Sequence, residues 1–188
     1  MDEDDWVEID GDAPHRDSRV DWNQLKKRYE ALIAPSLQGR VKVWATLYRK
    51  PATSDGRGWI TVDGEQVHSM ADVAGDAAYR RFAERAAAME EAAPGTPAAE
   101  LFRQPESFFS HWEFREALEE CVDSGMDELL ASQWPLTRAL AMLDRRLGKR
   151  RFLRLAGIED EHPLVQRLYH LRAEAERWPV AAKSCDHL

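Results

Sequence analysis

The residues best suited to chemistry in this 188-residue chain form a run of cations. Between positions 138 and 154, Arg138, Arg145, Arg146, Lys149, Arg150, Arg151 and Arg154 face one acid, Asp144, for a formal +6. Arginine offers planar paired donors and lysine a compact charge, so such an array can grip phosphates. If the segment stays helical through Gly148, Arg138, Arg145 and Lys149 line one side. Leu136, Leu140, Leu143 and Leu147 then face the core. A competing use is internal. Glu113, Glu116, Glu120 and Asp123 make a carboxylate ladder, at spacings of three, four and three, that a neighbouring helix can present. The candidate anion or nucleic-acid patch is therefore Arg138, Arg145, Arg146, Lys149, Arg150 and Arg151.

The opposite charge gathers at the start. Asp2, Glu3, Asp4, Asp5, Glu8, Asp10 and Asp12 occur without one Lys or Arg among the first twelve residues. Seven of the eight net negative charges sit there, so the rest of the chain is nearly neutral. Like charges at this density repel, and residues 1–20 are expected to be disordered or ordered only when docked. Trp6, Val7 and Ile9 lie inside the acidic run, which a purely solubilising tail does not need. Asp4, Asp5, Trp6, Val7 and Ile9 are the candidate partner-binding leader, for the chain's own cations or for a basic surface elsewhere.

A second nucleic-acid candidate combines rings and cations. Trp44, Tyr48 and Trp59 lie near Lys42, Arg49, Lys50 and Arg57, and bases stack on such rings while cations follow the phosphates. Trp44 and Tyr48 alternate with Val43, Ala45 and Leu47, however, so either face can be the core. Catalytic and metal patterns are sparse. His111 with Glu113 and Glu116, near Cys121, is the best acid–base candidate. Yet Glu113 has a capping role, and Cys121 falls on an apolar stripe, where cysteine acts as a small hydrophobe. Glu65-x-x-His68, Glu159-x-x-His162 and Cys185-Asp186-His187 lack the partners a metal site requires. No nucleophile elbow, phosphate loop or zinc-protease pattern occurs. No catalytic residue, cofactor or metal is assigned.

These groups need elements to position them. Asp21 can cap a helix carrying Trp22, Leu25, Tyr29, Leu32 and Ile33, with Gln24 at the capping-box position and Ala34-Pro35 as its stop. Val41 to Tyr48 alternates as a strand, Trp59–Val62 is a second, and Asp63-Gly64 turns into a third at Gln66–His68. A helix from Ala71 carries Tyr79, Phe82, Ala86 and Met89 until Pro94-Gly95-Thr96-Pro97. Ser110 and Glu113 make a capping box with Phe109 and Phe114 as its staple, and Phe114, Leu118, Cys121 and Val122 line the helix behind it. Asp123-Ser124-Gly125 breaks that helix. Pro135 opens the next, and Pro163 opens the last with Leu164, Leu168 and Leu171 in register.

Several strings together resemble an uncharacterised family of small soluble bacterial proteins. They are Trp22-x-x-Leu25-Lys26-Lys27, Tyr48-Arg49, the stretch Gly56 to Gly64, the stretch Arg138 to Arg151, and Leu171 to Glu176, with the likeness covering roughly Trp22 to Arg177. The resemblance implies a bacterial, soluble setting. It brings no activity and no catalytic residue.

The expected fold is α+β: a three-stranded antiparallel meander flanked by helices, with a C-terminal helical layer. Residues 1–20 form the leader, 21–93 the helix, meander and helix, and 94–188 the helical part packed on it as one compact unit. The acidic, apolar-poor N-terminus and the lack of a long apolar run exclude a secretory signal and a membrane span, so the expected setting is cytoplasmic. Two cysteines argue against a disulfide scaffold. The expected role is a non-enzymatic protein-protein interaction module. The alternative is RNA or single-stranded DNA binding through the Arg-rich helix, and the third is a hydrolase of unknown substrate.

Overall fold

The protein is described from a computed structural model, which describes residues 21–47, 56–71, 84 and 109–179. Helix α1 spans Trp22–Glu30, and the Asp21 carboxylate caps it by accepting the backbone N–H groups of Asn23 and Gln24 at 3.0 and 3.3 Å. Leu25 and Tyr29 bury its inner face. The helix stops at Glu30, short of the expected end, because the next residues pair with a distant segment. Ala34 donates to the carbonyl of Leu143 at 2.8 Å and Arg145 to that of Leu32 at 2.7 Å, an isolated bridge between Ile33 and Asp144.

Strands β1 (Val41–Leu47), β2 (Gly56–Val62) and β3 (Glu65–Ala71) form an antiparallel sheet in that order. Asp63 and Gly64 both take positive φ, 52° and 89°, as a tight two-residue turn between twisted strands requires. Arg40 braces it with two hydrogen bonds to the Asp63 carboxylate, 2.9 and 2.7 Å. Val41, Val43, Ile60 and Met70 bury the inner face. Gly58 is needed there for space: a Cβ at that position would collide with the Phe114 ring.

Helix α2 (His111–Asp123) lies on this face, started by the reciprocal capping box. Glu113 accepts the N–H of Ser110 at 2.6 Å, while Ser110 Oγ accepts that of Glu113 at 3.1 Å. Phe109 and Phe114 are both buried. Then come α3 (Met126–Ala131), α4 (Pro135–Ala141), α5 (Lys149–Phe152) and α6 (Pro163–Ala175). One apolar core runs from Leu25 through the sheet to Ala173. The protein is thus α+β, with a three-stranded antiparallel meander and helices mostly C-terminal to it. The helix expected from Ala71 does not begin there, because Ala71 still pairs with Arg57 as the last residue of β3; of its later positions only Glu84, helical and exposed, lies among the described residues. No helix among the described residues is long and apolar enough to cross a membrane.

The expected continuous Arg-rich helix does not form. Helix α4 ends at Ala141, and the chain turns before resuming as α5 at Lys149. Leu143 and Leu147 are still buried, in an irregular segment rather than on a helical stripe. The physical cause is a set of outside donors for the carbonyls the break exposes. Arg172, 2% exposed, donates to the carbonyls of Met142 at 3.0 Å, Asp144 at 2.6 Å and Leu147 at 3.0 Å. The Tyr29 hydroxyl donates to that of Leu140 at 3.2 Å.

Candidate functional site

The break sorts the cations into two groups. Arg138 forks onto Glu161, its shortest contact 2.7 Å, and also donates to the Ser132 carbonyl at 2.5 Å. Arg146 pairs with the 1%-exposed Asp144 carboxylate at 2.6 Å. It also donates to the carbonyls of Cys121 at 2.6 Å and Ser124 at 3.0 Å. Its hydrogen bond to Asp144 raises its pKa above the ordinary arginine value. Arg151 pairs with Asp127. Arg145, Lys149, Arg150 and Arg154 are exposed and form no ion pair with a described residue. The proposed line of Arg138, Arg145 and Lys149 along one helix is therefore corrected: Arg138 belongs to α4, Lys149 to α5, and Arg145 to the turn between them.

The α2 carboxylates are not the partners of this run. Glu113 closes the capping box, Glu120 accepts the Thr137 hydroxyl at 2.7 Å, and Asp123 pairs with Arg28 at 2.8 Å. The acids that meet the run instead come from the turn itself, from α3 and from the stretch before α6.

A second feature had no sequence pattern to announce it. The loop between α3 and α4 raises Trp134 to 43% exposure, the largest of any bulky apolar side chain among the described residues. Trp134 N–H donates to Ser132 Oγ at 3.3 Å, and Pro135 then starts α4. A hollow of about 520 Å³ lies beside the chain neighbours of Trp134, lined by Leu130, Gln133, Pro135, Arg138, Glu161 and His162. Trp134 itself lines a second hollow, of about 320 Å³, where it meets Phe109, Leu136, Glu113, Glu116 and Glu120. Burial holds the Glu113 carboxyl above the usual glutamate range, partly offset by the Ser110 hydrogen bonds. A tryptophan before proline reads as a loop residue; only its exposure at the edge of a concavity distinguishes it.

The ring cluster on the sheet is settled as an outer face, since Val41 and Val43 point inward. Trp44 and Trp59 are cross-strand partners with parallel rings, centroids 6.2 Å apart at 13°. Lys26 Nζ lies 3.7 Å above the Trp44 ring and the Arg57 guanidinium 5.5 Å from that of Trp59. Trp44 Nε1 donates to Thr61 Oγ1 at 3.0 Å. The chain's own cations therefore already use these ring faces. Tyr48, Arg49 and Lys50 lie outside the described residues, as do Asp4, Asp5, Trp6, Val7 and Ile9 of the leader and Cys185-Asp186-His187.

The acid–base candidates are built into the fold. His111 is 3% exposed and Glu113 is spent on capping. Cys121 is buried with Sγ 3.9 Å from the Thr137 carbonyl, and desolvation followed by Asp144 and Glu120 pushes its thiol well up. A thiolate nucleophile needs the reverse. His162 Nδ1 accepts the Leu164 N–H at 3.1 Å, a helix cap rather than a metal ligand. Among the described residues no three His, Cys, Asp or Glu side chains gather to hold a metal ion.

No curated protein and no solved structure matches the chain. Residues 21–173 match the SF0329 protein family. That span runs from the Asp21 cap through the sheet and the Arg-rich turn into α6, so the chain belongs to the SF0329 protein family.

Proposed function

We propose that this protein is a non-enzymatic module of the bacterial cytoplasm that binds another protein, docking it on the ridge at Trp134. The observation that carries the reading is the exposed Trp134 ring at the edge of a hollow it helps to line, with a second hollow beside its chain neighbours Gln133 and Pro135. Tryptophan recurs at the energetic centres of protein interfaces because its large rigid ring buries much area at little entropic cost. Adjacent concavities let a partner's side chains interlock around it. Glu116, Glu159 and Asp160 are exposed near these hollows and form no ion pair with a described residue, which suits a partner with a basic rim. The acidic leader repeats the combination in sequence, with Trp6 among seven acids, and supports the same assignment.

The test compares tagged full-length protein with Trp134→Ala in pull-downs after nuclease treatment, with both melting curves recorded. Captured protein should fall about tenfold or more in the variant at an unchanged melting temperature. Equal capture by both proteins, or capture that vanishes with nuclease, overturns the reading.

A further inference from the structure

Beyond that docking ridge, we infer that the turn around α5 binds the phosphate backbone of single-stranded nucleic acid through Arg145, Lys149, Arg150 and Arg154. The inference rests first on which charges are already compensated. Glu161, Asp127 and Asp144 each hold one guanidinium of the run, those of Arg138, Arg151 and Arg146. The four remaining cations are exposed and have no carboxylate partner among the described residues. Four uncompensated charges within ten residues repel one another, and an external polyanion relieves that repulsion while releasing its own counterions.

The segment is also braced. The bridge to Ile33, the three carbonyl bonds from Arg172 and the Arg146 contacts to α2 hold both ends of the turn. Phe152 is fully buried in α5, stacked on Tyr169 with centroids 4.3 Å apart. The cations thus project from a fixed base, and little backbone order is lost on binding.

The surface composition selects the partner. Of the exposed residues from Arg145 to Arg154, Leu153 is the one large apolar side chain; the others are Gly148 and cations. A protein interface is depleted of charge at its centre and needs apolar anchors. A phosphate backbone needs neither rings nor hollows. Four cations match the phosphates of a strand about four nucleotides long, the low end of single-strand site sizes. A short single strand fits the number.

The probe is fluorescein-labelled oligouridylate titrated into the full chain over a range of salt concentrations. Four phosphate contacts give a slope of log K against log salt of about −2.8, at roughly −0.7 per contact. Arg150→Ala with Arg154→Ala should cut that slope by about 1.4 and weaken binding about tenfold at low salt, with the melting curve unchanged. Lys42→Ala, which removes an exposed cation on the sheet, and Trp134→Ala should both leave binding intact. An unchanged slope in the double variant overturns the inference. So does displacement of the probe by polyglutamate at equal charge concentration, which would assign the turn to an acidic protein segment.

Discussion

The ridge at Trp134 and the turn around α5 belong to the same C-terminal helical layer, yet they offer opposite chemistry. The ridge has an exposed ring, two hollows and acidic rims, and the arginine that lines the larger hollow, Arg138, is occupied by Glu161. The turn shows cations over a buried Phe152 and has no exposed ring between Arg145 and Arg154. The difference shows that the charge of a segment is a poor guide to what it can bind. Seven cations lie between Arg138 and Arg154, but three are consumed by Glu161, Asp144 and Asp127. What remains for a partner is the remainder after internal pairing, and the fold decides that remainder.

The comparison breaks most severely at Arg172. Its guanidinium serves three carbonyls and lies near the Phe152 and Trp178 rings, at 5.7 and 5.2 Å. Arg172→Met leaves those buried acceptors unsatisfied, and urea unfolding should show a loss of about 4 kcal/mol. The turn should open, so oligouridylate binding should fall in parallel, while binding at the ridge changes less.

Acid should separate the two regions in the other direction. His68 is held neutral down to about 4, against 6.5 unfolded, mainly by burial and also by the nearby His162 and Arg167 charges. Its ring lies 6.0 Å from Phe109, which lines the smaller hollow beside Trp134. Because the folded pKa is depressed, the unfolded chain takes up the proton first. Stability is therefore full above 6.5 and falls as pH drops from 6.5 to 4, by about 3 kcal/mol. Urea midpoints across that range should follow this slope, and His68→Phe should flatten it. No histidine lies between Arg145 and Arg154, so the oligouridylate affinity of the turn should not decline with the ridge.

A smaller change should sharpen the contrast. Asp144→Asn keeps an acceptor for the Arg146 N–H, now 2.7 Å from the carboxylate, but removes the charge that holds the guanidinium. The expected cost is about 2 kcal/mol, since Arg146 is partly solvated. One more cation then joins the turn. Oligouridylate affinity should rise severalfold although the protein is less stable, and a fall in affinity would mean that Arg146 position, not net charge, governs binding.

Features that depend on a few adjacent residues were legible before the structure. Asp21 and the Ser110–Glu113 pair cap because their oxygens reach N–H groups within three residues. Asp63-Gly64 turns because both residues accept positive φ, and Pro135 starts α4 because its missing N–H has no partner to lose there. The alternation from Val41 onward identified a strand with two unlike faces, but not which face was the core. That choice came from Gly58 and Phe114, whose contact brings α2 onto one side.

The amino-acid sequence by itself thus determined the local vocabulary: caps, the hairpin, the α+β class and the uneven charge. Tertiary structure decided where the Arg-rich helix ends, because the donor that releases its carbonyls, Arg172, stands 28 residues beyond Asp144. It also decided which cations remain outward and that Trp134 stands exposed at the edge of a hollow. Hydrogen-bond satisfaction and burial are settled by groups far apart in the chain, and no local spacing records them.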